Sequence, residues 1–247
     1  MLGIDTSFDE VSYEEACKLR EAGIEVAWQC LWTGAQQPPP RVINLRNYSR
    51  AGLIIMGYTS LPNNCPAGQG ARHFGMGRSG IPEDLWAAMC RVPIDIELPG
   101  IKEVAVREAI EAAYTAGKMR TIYTSYNAWA NYLGNPASFT DCDLINAFWD
   151  GDPTDKDFLN YPYGGWNPDQ VIGEQYTGGT NVQGVYADQD VYFITRERLL
   201  GQATIAVVDA VTGLLTLRIG ILEGGMKALL DGNGQALVDI GRLIGGK

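Results

Sequence analysis

The chain has 247 residues, 46% of them apolar, and a formal net charge of −10, which suits one barrel-sized domain, alone or with a short appendix, and allows a full core. That charge argues against nucleic acid or an anionic membrane as the main partner, and no stretch is long and apolar enough to cross a bilayer. The five cysteines, Cys17, Cys30, Cys65, Cys90 and Cys142, are odd in number, irregularly spaced and without a CxxC pair, which fits free thiols better than a disulfide frame. No cysteine pair stands near the single histidine, His73, so zinc is not expected, nor is any other cofactor. His73 itself reads as structural rather than as the base of a triad.

The chain begins directly on a strand at residues 2–5, with no charged start and apolar stretch before it, so no signal peptide is expected. Residues 12–22 read as a helix opened by a Ser12/Glu15 capping box and stopped by Gly23. A second strand at 24–30 leads through a proline-rich loop at Pro38, Pro39 and Pro40 to a helix at 44–51, and a third strand follows at 53–59. A short helix at 82–89 precedes the fourth strand at 92–98. Residues 102–116 carry Val104, Ala105, Glu108, Ala109 and Ala112 at helical spacing, and a fifth strand is expected at 121–125. Beyond it helices thin out: strands are expected around Phe148 and Trp149, at 171–176 and at 185–192, joined by loops rich in Gly, Pro, Asn and Asp. Five βα units followed by three strands predict an α/β, TIM-like barrel over 1–198.

Asp95 and Glu97 lie two residues apart on the fourth strand and share a face, with Ile94, Ile96 and Leu98 on the other. Two acids on the inner face of a barrel strand do not serve packing; brought together and partly desolvated, one is pushed toward its protonated form. That division of labour is what glycoside hydrolysis needs, at the strand ends where parallel barrels place their chemistry. Asp5 closes the first strand, and Asp188 and Asp190 sit on the eighth, its neighbour in a closed barrel.

In order along the chain, Gly3-Ile4-Asp5-Thr6-Ser7, Ala51-Gly52-Leu53 with Gly57-Tyr58, Pro93-Ile94-Asp95-Ile96-Glu97, Ile122-Tyr123-Thr124, Phe148-Trp149, and Gln175-Tyr176 followed by Gly184 and Asp188-Gln189-Asp190 resemble the motifs of glycoside hydrolase family 25 lysozymes, the Chalaropsis-type N-acetylmuramidases. The resemblance covers roughly residues 1–195 and implies that family's barrel of five βα units plus three strands. It also implies cleavage of the β-1,4 bond between N-acetylmuramic acid and N-acetylglucosamine in bacterial peptidoglycan. By position, Glu97 would be the general acid, and Asp95 would stabilise positive charge at the anomeric carbon or orient the 2-acetamido group. Asp5 and Asp188 would complete the catalytic acids. Tyr58, Tyr123, Trp149, Gln175, Tyr176 and Asp190 would contact the glycan, the first three by packing on sugar rings. The segments 28–50 and 62–80 match none of these motifs, and Asp190 stands where the family has Asn. A chitinase-type D-x-x-D-x-D-x-E is excluded, because Cys90 and Pro93 occupy its first two acid positions.

A barrel that binds cell-wall glycan without cutting it, or a virion structural protein with a lysozyme-like domain, is the competing reading. Asp150, Asp152, Asp155 and Asp157 crowd one loop at a spacing unlike the EF-hand pattern and are taken as a solvated acidic loop rather than a calcium site. From Leu199 to Lys247 aromatics disappear. Ile205, Val208, Thr212, Leu215, Ile219, Leu222, Met226 and Leu229 keep a three-four spacing, which favours a helical, self-associating tail. Alternation of Leu215, Leu217, Ile219 and Ile221 with polar residues or glycine offers strands instead, with a turn at Asp231-Gly232-Asn233-Gly234. Such a tail on a lysin without an export signal suits attachment, homo-oligomerisation and a bacteriophage origin, as endolysin or virion-borne lysin.

Overall fold

A computed structural model describes residues 1–154, 156–209 and 213–220. The elements run β1 (Leu2–Thr6), α1 (Tyr13–Glu21), β2 (Ile24–Trp32), α2 (Arg41–Arg50), β3 (Ile54–Ser60), α3 (Gly70–Arg78), α4 (Glu83–Ala88), β4 (Ile94–Ile96), α5 (Glu103–Thr115), β5 (Thr121–Thr124) and α6 (Tyr126–Leu133). They continue with β6 (Asp143–Ala147), α7 (Lys156–Asn160), β7 (Val171–Val182), β8 (Val185–Tyr192), α8 (Arg196–Leu199), β9 (Gln202–Asp209) and β10 (Gly213–Gly220). Strands β1 to β8 close into a barrel in sequence order. The pairs from β1/β2 through β6/β7 are parallel, and β8 joins β7 and β1 antiparallel. This is the α/β TIM-like architecture expected from the alternation of short apolar runs and helical segments.

Side-chain alternation splits the apolar residues into two layers. Val26, Trp28, Ile54, Met56, Tyr123, Ile145, Ile172 and Tyr192 form a cluster inside the barrel. Ile4, Ala27, Ile55, Ile94, Ile96, Ile122 and Leu144 belong to a larger cluster with the helices. Ser12 caps α1 as read from the sequence: its hydroxyl accepts from the Glu15 amide at 3.2 Å, and the Glu15 carboxylate accepts from the Ser12 amide at 2.8 Å. Gly23 and Gly117 end α1 and α5 with φ of 91° and 79°, conformations that only glycine adopts without cost.

Helix α3 was not expected, because three glycines among its nine residues argue against helix on propensity. Packing supplies the reason. A Cβ at Gly70 would lie 1.8 Å from the Ala105 carbonyl oxygen of α5, and one at Gly77 would lie 2.4 Å from Thr59 Oγ1. The glycines let the helix lie against its neighbours, and Glu108 of α5 accepts from the amides of Gly68 and Gly70 at 2.7 and 3.0 Å, capping its start. Gly70→Ala is therefore expected to destabilise the protein by about 3 kcal/mol, through overpacking against backbone that cannot yield; urea melts of the two proteins measure it.

Helix α6 was also missed, since Asn and aromatic residues are weak helix formers. It is held by the Ser125 cap on Ala128 N (3.1 Å) and by burial of Trp129. The expected fourth strand shrinks to three residues, leaving Glu97 just beyond β4 and Leu98 exposed rather than packed. The sixth strand ends at Ala147, so Phe148 and Trp149 start the following loop.

Helix α8 closes the end of the barrel where the parallel strands begin. Leu199 is fully buried, and its carbonyl accepts from Arg91 Nε at 2.9 Å and from the Cys90 thiol at 3.0 Å. The buried Arg91 also pairs with Asp143 at 2.7 Å and donates to Thr121 Oγ1 at 2.8 Å. Removing one partner of such a buried pair leaves the other charge uncompensated. Helix α8 thus lies across the expected boundary at residue 198, with Leu199 packed against the barrel.

The helical reading of the tail is corrected over its first part: β9 and β10 form an antiparallel hairpin, with Leu215 opposite Val207 and Leu217 opposite Ile205. The period-two alternation there competes with the three-four spacing, and cross-strand pairing satisfies it. The remainder of the expected helical seam, and the Asp231-Gly232-Asn233-Gly234 turn, lie outside the described residues. None of the helices among the described residues is long and apolar enough to cross a membrane.

Candidate active site

A pocket of about 230 Å³ opens at the end of the barrel where the parallel strands finish. Asp5 from β1, Asp95 from β4, Glu97 just after it and Asp188 from β8 all line it. The β1/β8 ladder places Asp5 directly opposite Asp188. Tyr58, Tyr123 and Trp149 also line the pocket, as does Gln175. So do two residues that the sequence reading passed over, Ser7 and Trp28. Alternation along β2 could have found Trp28, which shares the inward face with Val26.

Trp28 organises the floor. Its ring meets Tyr58 edge-on at 5.5 Å and Tyr123 at 5.6 Å, spacings favoured by aromatic quadrupoles. Its Nε1 donates to Asp190 Oδ2 at 2.5 Å. Asp190 is fully buried and does not line the pocket, its Oδ2 holding Trp28, so the structure does not place it where the expected contact with glycan needs it. Tyr176 likewise lies outside the pocket, its hydroxyl donating to Gln189 Oε1 at 3.1 Å; on a strand, Gln175 and Tyr176 must face opposite ways. Tyr58 and Ser7 share a hydroxyl hydrogen bond of 2.7 Å.

The acids are held by specific partners. Ser60 donates to Asp95 Oδ2 at 2.5 Å, while the buried Oδ1 of Asp95 has no protein partner. Gly179, on the part of the β7/β8 hairpin beyond the barrel, donates its amide to Asp188 at 2.5 Å. That hairpin runs further than expected, to Val182, and turns at Gln183 and Gly184 with φ of 54° and 95°, the two left-handed positions of a type I′ turn. The amide of Gln175 donates to Asp5, and its Oε1 accepts from Tyr123 OH and from Trp149 Nε1, each at 2.7 Å. Trp149 is 64% exposed and lies over Gly178, where a Cβ would come within 2.9 Å of its ring.

Crowding four acids with little water raises their proton affinity. Burial, then the charge of Glu97, pushes Asp95 up to about 8, against the opposing Ser60 bond. Burial first, then Asp188, raises Asp5 well above the usual carboxylate range. Glu97 is raised because its carboxyl is partly withdrawn from water, with the charge of Asp188 adding to it. Asp188 is raised by burial, against the Gly179 amide. The site can therefore hold protons at neutral pH, and Glu97 holds its carboxyl at the solvent-exposed rim while Asp95 is buried below it.

His73 stands apart, accepting from Trp32 Nε1 at 3.1 Å. The acidic loop forms a local turn in which the Asp152 amide donates to Asp150 at 2.7 Å; Asp155 lies outside the described residues. Among the described residues no group of three or more His, Cys, Asp or Glu side chains is placed to hold a metal ion.

No family model matches the sequence. The chain is similar to counting factor 50 of Dictyostelium discoideum, 34% identical over 87 residues, a match spanning 35% of this chain and 28% of that protein. Among solved structures it is similar to a bacterial lysozyme from Streptomyces coelicolor, at a TM-score of 0.66 and 18% identity, covering 81% of this chain and 95% of the other. It is also similar to a family 25 lysozyme from Aspergillus fumigatus, at 0.61 and 18%, covering 81% and 96%. At these identities the likeness is one of fold: the closed barrel and its order of strands are shared across about four-fifths of the chain.

Proposed function

We propose that the chain is a peptidoglycan hydrolase that cleaves the β-1,4 bond between N-acetylmuramic acid and N-acetylglucosamine. The observation that carries this reading is the convergence of Asp5, Asp95, Glu97 and Asp188 in one pocket walled by Tyr58, Tyr123 and Trp149. A binding barrel has no need to desolvate four carboxyls together. The sugar-sized aromatic wall and the shared fold with lysozymes supply the substrate class.

Glu97, at the rim, gives its proton to the glycosidic oxygen as the bond from the anomeric carbon to that oxygen breaks, the bonding electrons leaving with the oxygen. Asp95, beneath, meets the positive charge that develops at the anomeric carbon, or takes the 2-acetamido N–H on its unpartnered Oδ1. Asp5 and Asp188 keep the floor acidic, so that the proton lost by Glu97 returns readily. Water entering through the open mouth forms the new bond from its oxygen to the anomeric carbon and gives a proton back to the Glu97 carboxylate, which completes hydrolysis.

The native protein is expected to clear a suspension of purified peptidoglycan, read as loss of turbidity. Failure to clear, with the protein still sedimenting with the wall, would replace this reading with that of a glycan-binding barrel.

A further inference from the structure

We infer that Gln175, by fixing the direction of the Tyr123 hydroxyl, makes Tyr123 an acceptor toward Glu97 and so holds the catalytic proton on Glu97. This rests on the assignment of Glu97 as the proton donor, and it makes Gln175 a positioning residue rather than a glycan contact.

The orientation of the Gln175 amide is fixed by Trp149 and agrees with the contact to Asp5. Trp149 Nε1 can only donate, and it stands 2.7 Å from one amide atom, which must therefore be the oxygen. The other amide atom faces the Asp5 carboxyl and must be the nitrogen that donates to it. The reversed amide would set two donors against each other at Trp149, whose indole N–H can only donate. The backbone allows no escape, because Gln175 sits in the ladder between Ala147 of β6 and Asp190 of β8, and its side chain is buried.

Tyr123 OH lies 2.7 Å from that same oxygen. A phenol has one hydrogen, and an amide oxygen has none to give, so the Tyr123 hydrogen goes to Gln175. What remains toward Glu97 is the Tyr123 oxygen, 3.4 Å from Glu97 Oε1. Two oxygens without a hydrogen between them repel; the contact becomes attractive only when Glu97 carries the proton and donates. The lengths agree, the Tyr123 hydrogen lying in the short contact of 2.7 Å to Gln175 and not in the longer one of 3.4 Å to Glu97. A hydrogen bond made only by the protonated form stabilises that form.

The other groups facing Glu97 do not decide this. Asp188 on β8 disfavours an ionised Glu97, while Glu97 in turn raises Asp5 on β1 and Asp95 on its own segment. Tyr58 shares the pocket, but its hydroxyl is engaged with Ser7. Tyr123 alone can act in either sense, and Gln175 selects the sense.

The test follows the Glu97 carboxyl by carbon-13 NMR across pH in protein labelled at the glutamate carboxyl, with its signal identified by absence from Glu97→Gln. Four proteins are titrated: native, Tyr123→Phe, Gln175→Leu and the double variant. Tyr123→Phe is expected to lower the Glu97 midpoint by about one unit in the native background. In the Gln175→Leu background, where Tyr123 is free to donate to Glu97, the same substitution is expected to raise it. A rise in the native background, or one sign in both backgrounds, overturns the proposal. If Gln175→Leu fails to fold, the sign of Tyr123→Phe in the native background alone decides. The titration needs no turnover, so a protein that clears no peptidoglycan overturns the hydrolase reading without touching this result.

Discussion

Glu97→Gln is expected to lose about three powers of ten in clearing rate, the upper-middle of what a positioned general acid contributes and equivalent to about 4 kcal/mol of barrier. The substitution suits the question because an amide at this position keeps a donor for the Tyr123 oxygen, much as the protonated acid does, and Glu97 lies at the exposed rim where an isostere disturbs no packing. The variant should therefore melt with the native protein and still sediment with cell walls. Loss of binding together with clearing would mean that Glu97 holds the glycan rather than protonates it; unchanged clearing would remove it from the chemistry.

Asp95→Asn is expected to produce opposite effects on activity and on stability. Clearing should fall by about two powers of ten or more, since asparagine cannot ionise to meet the charge that develops at the anomeric centre. Stability should rise. The folded state keeps the Asp95 proton to about pH 8, against an ordinary value of 3.8. Between those values the folded state binds more protons than the unfolded chain, so native stability falls as pH rises across that window. Asparagine carries no such proton and escapes the loss. The gain should be absent at pH 3, where Asp95 is protonated in both states, and reach about 5 kcal/mol at pH 8, or roughly 15 °C in Tm for a domain of this size. Calorimetry at the two pH values checks it; an equal shift at both would show that burial of charge is not the source. A site that is destabilising in the free protein is the expected signature of a built catalytic centre.

The alternation of strand and helix was readable in the sequence because each short apolar run is buried on one or both faces of the barrel and each helix shows one apolar stripe. What escaped was set by contact rather than by local pattern. Helix α3 depends on the near approach of Gly70 to Ala105 O, which no propensity reports. The four acids were legible because buried carboxyls at strand ends have few other uses. Asp190 misled, since parity along β8 cannot tell a residue at the mouth from one a layer below it, where Trp28 Nε1 takes the carboxyl. Gln175 reads from the sequence as a glycan contact, and its three partners were not legible there because they come from β1, β5 and the loop after β6. The tail satisfies both periods at once, and only pairing separates them.

The central claim, that this pocket hydrolyses the muramic acid glycosidic bond, is tested most directly by the new reducing ends released when the native protein digests purified peptidoglycan. Borohydride reduction followed by sugar analysis should recover muramicitol, the reduced form of muramic acid. Recovery of glucosaminitol instead, or of no reduced sugar from a wall that is nonetheless solubilised, would contradict it.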